Sequence, residues 1–121
     1  MKRDEIMKLT PDELRVEIAK QRGYELKHGF LDEACINPKD YWVTPAGRLT
    51  SVLLDWTTDI AAAYELEEEL PDDNARHEYT KALVWVVNRN YDDMVDQRYQ
   101  LIHATPAERS RAWVIWKTEA E

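Results

Sequence analysis

Apolar side chains recur every three to four positions in several stretches of this 121-residue chain, the spacing that places them on one face of a helix. The first such stretch has a strong start, because Thr10 can act as the N-cap, a proline follows it and Glu13 completes a capping box. Gly23 supplies the residue type that commonly ends a helix. The pattern predicts a first helix over residues 11–22.

The next part of the chain carries a strand pattern. Residues 24–40 have no clean period, which predicts a loop with at most one helical turn. Residues 41–44 and 48–54 flank the segment 45–47, in which proline comes early and glycine late, as a reverse turn prefers. We therefore expect a β-hairpin that packs on a helix, since a lone hairpin is only marginally stable in water.

A long acidic stretch at residues 55–73 predicts a second helix. Thr57 or Thr58 can cap its start, Asp59 lies in its first turn, and three consecutive alanines favour helix. The predicted buried face consists of Ile60, Ala63, Leu66 and Leu70. The predicted solvent face carries carboxylates, at Glu65, Glu68 and Glu69.

Two further helices are predicted in the second half of the chain. One follows Pro71, where an Asp can act as N-cap; its apolar segment 82–87 also fits a buried strand, but the cap and the run length favour helix. Residues 91–102 stay open between a short helix and an extended segment. The last helix begins at Thr105 and Glu108, which repeat the first capping pattern. Its predicted buried stripe is Ala112, Trp113, Trp116 and Ala120.

These elements predict a single domain of the α+β class that is mainly helical, with about four helices packed with a small β-hairpin or sheet in α/β/α-like layers. Five tryptophans argue against disorder. Four of them fall on predicted apolar faces, at Trp56, Trp85, Trp113 and Trp116. Trp42 is either a core residue, which we favour, or an exposed aromatic anchor for a partner.

The net charge of -8 comes from one part of the chain. Residues 55–73 hold eight acids and no base, so the remainder has 16 acids and 16 bases. Direct binding of nucleic acid is not expected, because it requires clustered Lys and Arg. Solubility is the ordinary role of such charge, but glutamates near a helix C-terminus oppose the helix dipole. The candidate partner-binding acids are Asp59, Glu65, Glu67, Glu68, Glu69, Asp72 and Asp73.

Candidate chemistry is sparse. His28, His77 and His103 have no metal-ligand spacing, and no Gly-rich phosphate loop is present. A cation held among Glu68, Glu69, Asp72 and Asp73 is disfavoured without the glycine-bearing loop of an EF-hand. We expect no catalytic residues, no metal and no cofactor. The charged first residues, the absence of a long apolar window and the single Cys35 predict a cytosolic protein with no signal peptide and no membrane segment.

Four segments resemble, in order, the small bacteriophage and prophage proteins of the phage ABA sandwich domain family: residues 22–24, 41–47, 55–71 and 103–113. The chain departs from the family's pattern at residues 59–62, which lack its usual Asn. The resemblance implies a phage origin and helices that flank a small sheet. The family has no assigned catalytic residues, so the resemblance carries none over to this chain.

Three functional hypotheses follow. The first is a non-enzymatic phage-type accessory protein that binds a basic surface of a host protein through the acidic helix, as an inhibitor of a host defence system or as a nucleic-acid charge mimic. The second is a binder that sequesters a small signalling nucleotide, with Arg109 and Arg111 holding its phosphates at the start of the last helix. The third is a structural oligomer, for which a dimer is one form.

Overall fold

The computed structural model describes residues 1–29, 39–90 and 101–120 and shows a mainly helical α+β fold. Its helices are α1 (Arg3–Met7), α2 (Pro11–Gln21), α3 (Ile60–Glu68), α4 (Asp73–Asn90) and α5 (Pro106–Ala120). Its strands are β1 (Glu25–Gly29), β2 (Lys39–Val43) and β3 (Leu49–Thr50). The predicted fold class is therefore confirmed. In these described residues no helix is long and apolar enough to cross a membrane.

The first predicted helix is confirmed as α2, together with its capping box. The Thr10 backbone N–H donates to the Glu13 carboxylate at 3.0 Å, and the Glu13 N–H donates to the Thr10 hydroxyl at 3.2 Å. Gly23 follows the helix with a φ of 88°, the left-handed conformation that favours glycine. Local signals within a few residues of each other thus determine both ends of this helix.

The sheet is larger than the sequence predicts. It has three antiparallel strands in the order β1-β2-β3, and Trp42 of β2 lies between Leu26 of β1 and Thr50 of β3. The loop predicted over residues 24–40 is wrong at both ends, because β1 and the start of β2 occupy them; residues 30–38 lie outside the described part. Four of the five β1 residues are exposed, so no alternation of apolar and polar residues marked this strand.

The predicted turn between β2 and β3 is confirmed, but the second strand of the hairpin is much shorter than predicted. The Gly47 N–H donates to the Thr44 carbonyl at 2.8 Å, and Gly47 has a φ of 86°. Strand pairing ends at Thr50, whose hydroxyl donates to the Val52 carbonyl at 2.8 Å. That local bond turns the chain, and residues 51–54 are not a strand.

The acidic helix exists as α3, with two corrections. Its N-cap is Asp59, rather than Thr57 or Thr58, because the Asp59 carboxylate accepts from the Ala61 N–H at 2.9 Å. Ile60 is 41% exposed, so its predicted burial is wrong; it stands at the first helical position, at the edge of the core. The other predicted core residues of this helix, Ala63, Leu66 and Leu70, are buried.

Replacing Asp59 with Ala is expected to lower the free energy of unfolding by about 1 kcal/mol, because the N–H groups of the first turn of α3 lose their acceptor. Asn at the same position keeps an acceptor oxygen and should lower the free energy of unfolding by only a few tenths of a kcal/mol. Urea denaturation of the two variants beside the wild type measures the difference. Equal losses for Ala and Asn would show that the cap contributes nothing and that the charge alone matters.

The central element is α5, which packs against α1, α2, α3 and α4. Four consecutive α5 residues are buried: Ala112, Trp113, Val114 and Ile115. A helix surrounded on all sides has no single apolar stripe, and the predicted stripe is accordingly wrong at its end, since Trp116 is only partly buried and Ala120 is exposed. The segment 82–87, for which helix is favoured over a buried strand, lies inside helix α4, so that prediction is confirmed.

Candidate functional site

Most of the acids in residues 55–73 contact other groups of the protein. Asp59 caps α3, and Asp72 caps α4 by accepting from the Ala75 N–H at 2.7 Å. Four more of these acids form ion pairs with arginines. The pairs are Asp55–Arg15 at 3.8 Å, Glu67–Arg109 at 2.7 Å, Glu69–Arg22, and Asp73–Arg76 at 2.9 Å. Six of the eight acids therefore contact another group of the protein, and the stretch is not a uniform anionic surface.

Arg109 holds together a buried cluster at the junction of α3, α4 and α5. It is 8% exposed, and its Nε donates to the Ala104 carbonyl at 3.1 Å while one terminal nitrogen donates to the Leu101 carbonyl at 3.3 Å. Its other terminal nitrogen donates to Glu67 at 2.7 Å, and its guanidinium lies 5.1 Å from the ring centroid of Tyr64. The cluster attaches the segment before α5 to the acidic helix.

The electrostatics of this cluster are those of a closed ion pair. Burial disfavours the Arg109 cation, but the hydrogen bond and charge of Glu67 outweigh it, and the pKa of Arg109 is raised. Burial also raises the pKa of Tyr79 beside them, so its hydroxyl stays neutral at physiological pH. The cluster offers no activated nucleophile or base, and its chemistry is structural.

The two arginines proposed as an anion site both make contacts within the protein. Arg109 is engaged as described, and Arg111 donates to the Leu9 carbonyl at 3.4 Å. Arg111 is partly buried, and its Nε has no hydrogen-bond partner in the described structure. Because Arg109 is buried and engaged, the two arginines do not form an open phosphate clamp, and the geometry gives no support to the nucleotide hypothesis. The sequence placed both residues near a helix N-terminus but carried no signal for these contacts with distant parts of the chain.

The outer face of α3 combines apolar and acidic side chains. Ile60 and Tyr64, one helical turn apart, are 41% and 47% exposed. Glu65 and Glu68 are exposed beside them, and within the described residues neither carboxylate takes part in a hydrogen bond or ion pair. Ile102 is 72% exposed and belongs to the same region, because Arg109 contacts both its carbonyl and Tyr64.

We call Ile60, Tyr64, Glu65 and Glu68 the α3 outer face. Its two glutamates are among the seven acids that the sequence indicates, whereas Ile60 is predicted as buried and Tyr64 is not predicted as part of a site. Ile60 and Tyr64 are four residues apart, which places them on one side of α3, away from the side that carries buried Leu66. That spacing is the sequence signal that could have predicted an apolar pair on the outer side of the helix. This face combines an aromatic, an aliphatic and two carboxylates that have no partner among the described residues, and no contact within the fold accounts for it.

The remaining candidate residues that the structure describes are not brought together in one place. Trp42 is 7% exposed and belongs to the core, so its alternative role as an exposed anchor is wrong. Cys35 lies outside the described residues. His28 is exposed and 2.8 Å from Asp40. Among residues 1–29, 39–90 and 101–120, no group of three or more His, Cys, Asp or Glu side chains could hold a metal ion.

Comparison with models of protein families, with curated proteins and with solved structures finds no significant match to this chain. The resemblance to small phage proteins therefore stays a prediction.

Proposed function

We propose that this protein acts by binding another protein, without catalysing a reaction, and that the α3 outer face is its docking surface. The observation that carries the proposal is the placement of exposed Ile60 and Tyr64 beside two carboxylates that have no ion-pair partner within the described residues. Solubility accounts for acids on a surface, but it does not account for an isoleucine and a tyrosine among them.

The chemistry of this face specifies the partner. Tyrosine is enriched at protein interfaces because its ring provides a large apolar contact and its hydroxyl remains polar. Glu65 and Glu68 would attract a surface that carries Lys or Arg and would repel an acidic one. The expected partner is a protein with an apolar contact point flanked by basic side chains.

A more specific role follows if the resemblance to phage proteins holds. The partner is then a host protein in the bacterial cytosol, and inhibition of a host defence system is the corresponding activity. The contacts in residues 55–73 favour a short mixed interface over a nucleic-acid charge mimic, since only two of the eight acids lack a contact with the described protein groups.

Changing both Glu65 and Glu68 to Gln is expected to weaken partner binding about tenfold, because each exposed carboxylate contributes up to about 1 kcal/mol to a pair of opposite charges. Tagged protein is used to capture partners from a bacterial host lysate at about 50 mM and about 500 mM salt. A photocrosslinking residue in place of Ile60 identifies the captured protein that touches the face directly. The affinity of that protein for the wild type and for the Glu65/Glu68 variant is then measured.

The matched control is Glu25→Gln, which removes one exposed carboxylate from β1 and leaves the α3 outer face intact. We expect it to bind like the wild type. The proposal is overturned if the Glu65/Glu68 variant keeps the full affinity of the crosslinked partner, or if crosslinking from position 60 captures no protein that the wild type also retains.

The structural-oligomer hypothesis is less favoured by the same geometry. A two-fold symmetric dimer through the α3 outer face would place Glu65 and Glu68 of one copy against those of the other, and like charges in contact cost free energy. Light scattering at neutral pH is expected to return the mass of a monomer.

A further inference from the structure

Strand β1 forms one edge of the sheet, since the strand order is β1-β2-β3 and β2 is its only neighbour among the described strands. An edge strand leaves one row of backbone N–H and C=O groups without a sheet partner. The opposite edge, β3, has only two residues, whereas β1 has five. The open row of β1 is therefore the longer place at which another strand can join the sheet.

The hydrogen bonds of the turn between β2 and β3 show which β1 residues form that row. The Thr44 N–H donates to the Arg48 carbonyl at 2.9 Å, so the backbone groups of Thr44 point to the β3 side. The direction alternates along a strand, so those of Val43 point to β1, where Val43 faces Glu25. The backbone of Glu25 therefore bonds to β2.

By the same alternation, the N–H and C=O groups of Leu26 and His28 point away from β2. Within the described residues, no backbone hydrogen bond outside the sheet engages either of them. Tyr24, just before β1, also points outward; its N–H donates to the Ala19 carbonyl at 2.9 Å. The Leu26 side chain is 52% exposed, although it belongs to the same face of the sheet as buried Trp42. The edge thus combines open backbone groups with an exposed leucine.

The charges of β1 favour a second copy of the same strand, in one register. In an antiparallel pair centred on Leu26, the two leucines face each other and Glu25 of each copy faces Lys27 of the other. Centring the pair on Lys27 or on Glu25 instead places two like charges directly opposite, which is unfavourable. Centring it on His28 places Lys27 opposite Gly29 and leaves Glu25 facing a position beyond the end of β1.

The contact between Glu25 and Lys27 within one chain agrees with this arrangement. The Lys27 Nζ lies 3.9 Å from a Glu25 carboxylate oxygen, in a pair whose side chains are both more than half exposed. Joining two copies adds a second opposite charge beside each of these groups, so that the four side chains alternate in sign. The backbone groups drive the pairing, and the charges select its register.

We propose that β1 pairs antiparallel with β1 of a second copy of this chain, centred on Leu26, so that two three-stranded sheets become continuous. The Leu26 residues exchange N–H to carbonyl bonds in both directions, and each His28 N–H donates to the Tyr24 carbonyl of the other copy. The interface is small, so a dissociation constant on the order of 1 mM is expected, and the protein is monomeric at micromolar concentration. The pairing is independent of the proposed function of the α3 outer face.

The first measurement follows the backbone amide signals of the ¹⁵N-labelled protein from about 20 µM to about 2 mM, a range that brackets the expected dissociation constant. Concentration-dependent shifts are expected at Leu26 and His28, whose N–H groups become bonded. The signals of Glu25 and Lys27 should shift less, because their N–H groups already donate to β2.

A charge swap tests the register. Glu25→Lys and Lys27→Glu each place like charges opposite each other, and each is expected to weaken self-association about fivefold. An equimolar mixture of the two variants restores opposite charges at every position and should associate like the wild type. As controls, Glu78→Lys and Lys81→Glu make the same changes of net charge at an exposed pair on α4 and should leave self-association unchanged.

Leu26→Pro tests the backbone contact. It removes an outward N–H but no bond to β2, and proline is tolerated on edge strands, so loss of self-association is expected with the amide signals of α5 unchanged. If this variant does not fold, the charge swap alone decides the question.

The proposal is overturned if the mixture associates no better than either variant alone, or if the α4 variants weaken association equally. A wild type that is still monomeric at about 2 mM also overturns it; if Leu26→Pro then loses a partner from the lysate, the edge binds a strand of another protein. None of these results bears on the α3 outer face, since the lysate experiment uses micromolar protein, where the chain is monomeric and Glu25→Gln remains a valid control.

Discussion

Replacing Arg109 with Met is expected to lower the free energy of unfolding by about 3 kcal/mol, among the largest losses available to a single change in this protein. Met keeps most of the side-chain volume, but it leaves the partly buried Glu67 carboxylate without its cation and the carbonyls of Leu101 and Ala104 without their donor. Removal of one member of a buried ion pair costs more than the pair contributes, because the remaining charge stays desolvated. Urea denaturation measures the loss.

A matched variant separates this effect from the ordinary loss of a surface arginine. Arg76→Met breaks the Asp73 pair, in which both side chains are largely exposed, and is expected to change stability by less than about 0.5 kcal/mol. The double variant Arg109→Met with Glu67→Leu should recover part of the loss, since no unpaired carboxylate remains. If Arg109→Met is as mild as Arg76→Met, the cluster does not stabilise the fold.

The same variant connects stability with the proposed function. Arg109 lies against the ring of Tyr64 and bonds to the carbonyl of Ile102, so it supports two apolar groups of the region around the α3 outer face. Its loss is expected to loosen Tyr64 and weaken partner binding even where the protein remains folded. The test measures the affinity of the crosslinked partner for Arg109→Met and for the wild type, under conditions in which both proteins are folded.

The parts of the fold that follow from the sequence are those determined by local contacts. The capping box at Thr10 and Glu13 joins residues three apart, and Gly23 ends the same helix through its own backbone conformation. The turn at Gly47 is local in the same sense. Such features can be predicted because every group that stabilises them lies within a few residues.

The parts of the fold that the sequence did not predict depend on contacts between residues far apart in the chain. Strand β1 has exposed side chains and is held by backbone pairing with β2, so its apolar pattern carries no strand signal. Helix α5 is surrounded by four helices, so its buried residues are consecutive and do not follow a stripe. Neither property is present in a short window of sequence.

The candidate site shows the same division. The sequence correctly indicates that Glu65 and Glu68 point to solvent, because helical spacing alone decides it. It cannot show that Glu67, their neighbour, pairs with Arg109 at a separation of 42 residues, or that Glu69 pairs with Arg22 at 47. The charge of the stretch is predictable from the sequence, but only the fold shows which acids contact another group and which have no partner among residues 1–29, 39–90 and 101–120.

Replacing Trp56 with Ala is expected to lower the free energy of unfolding by about 3 to 5 kcal/mol, because the indole is fully buried and its removal leaves a large cavity. Arg22 lies 5.5 Å from the ring centroid, Tyr24 meets the ring edge to face at 6.3 Å, and the Ser110 hydroxyl donates to the Trp56 carbonyl at 2.6 Å.

Trp56 therefore joins the end of α2 to α5 immediately before the acidic helix begins, and its loss should displace α3 as well as weaken the core. Phe is the informative control, since the indole N–H has no hydrogen-bond partner in the described structure and only volume and part of the aromatic contact are lost. We expect Phe to cost about half as much as Ala in urea denaturation. Equal costs for Phe and Ala would show that the indole nitrogen is bonded after all, and a cost below about 1 kcal/mol for Ala would contradict the burial of this residue.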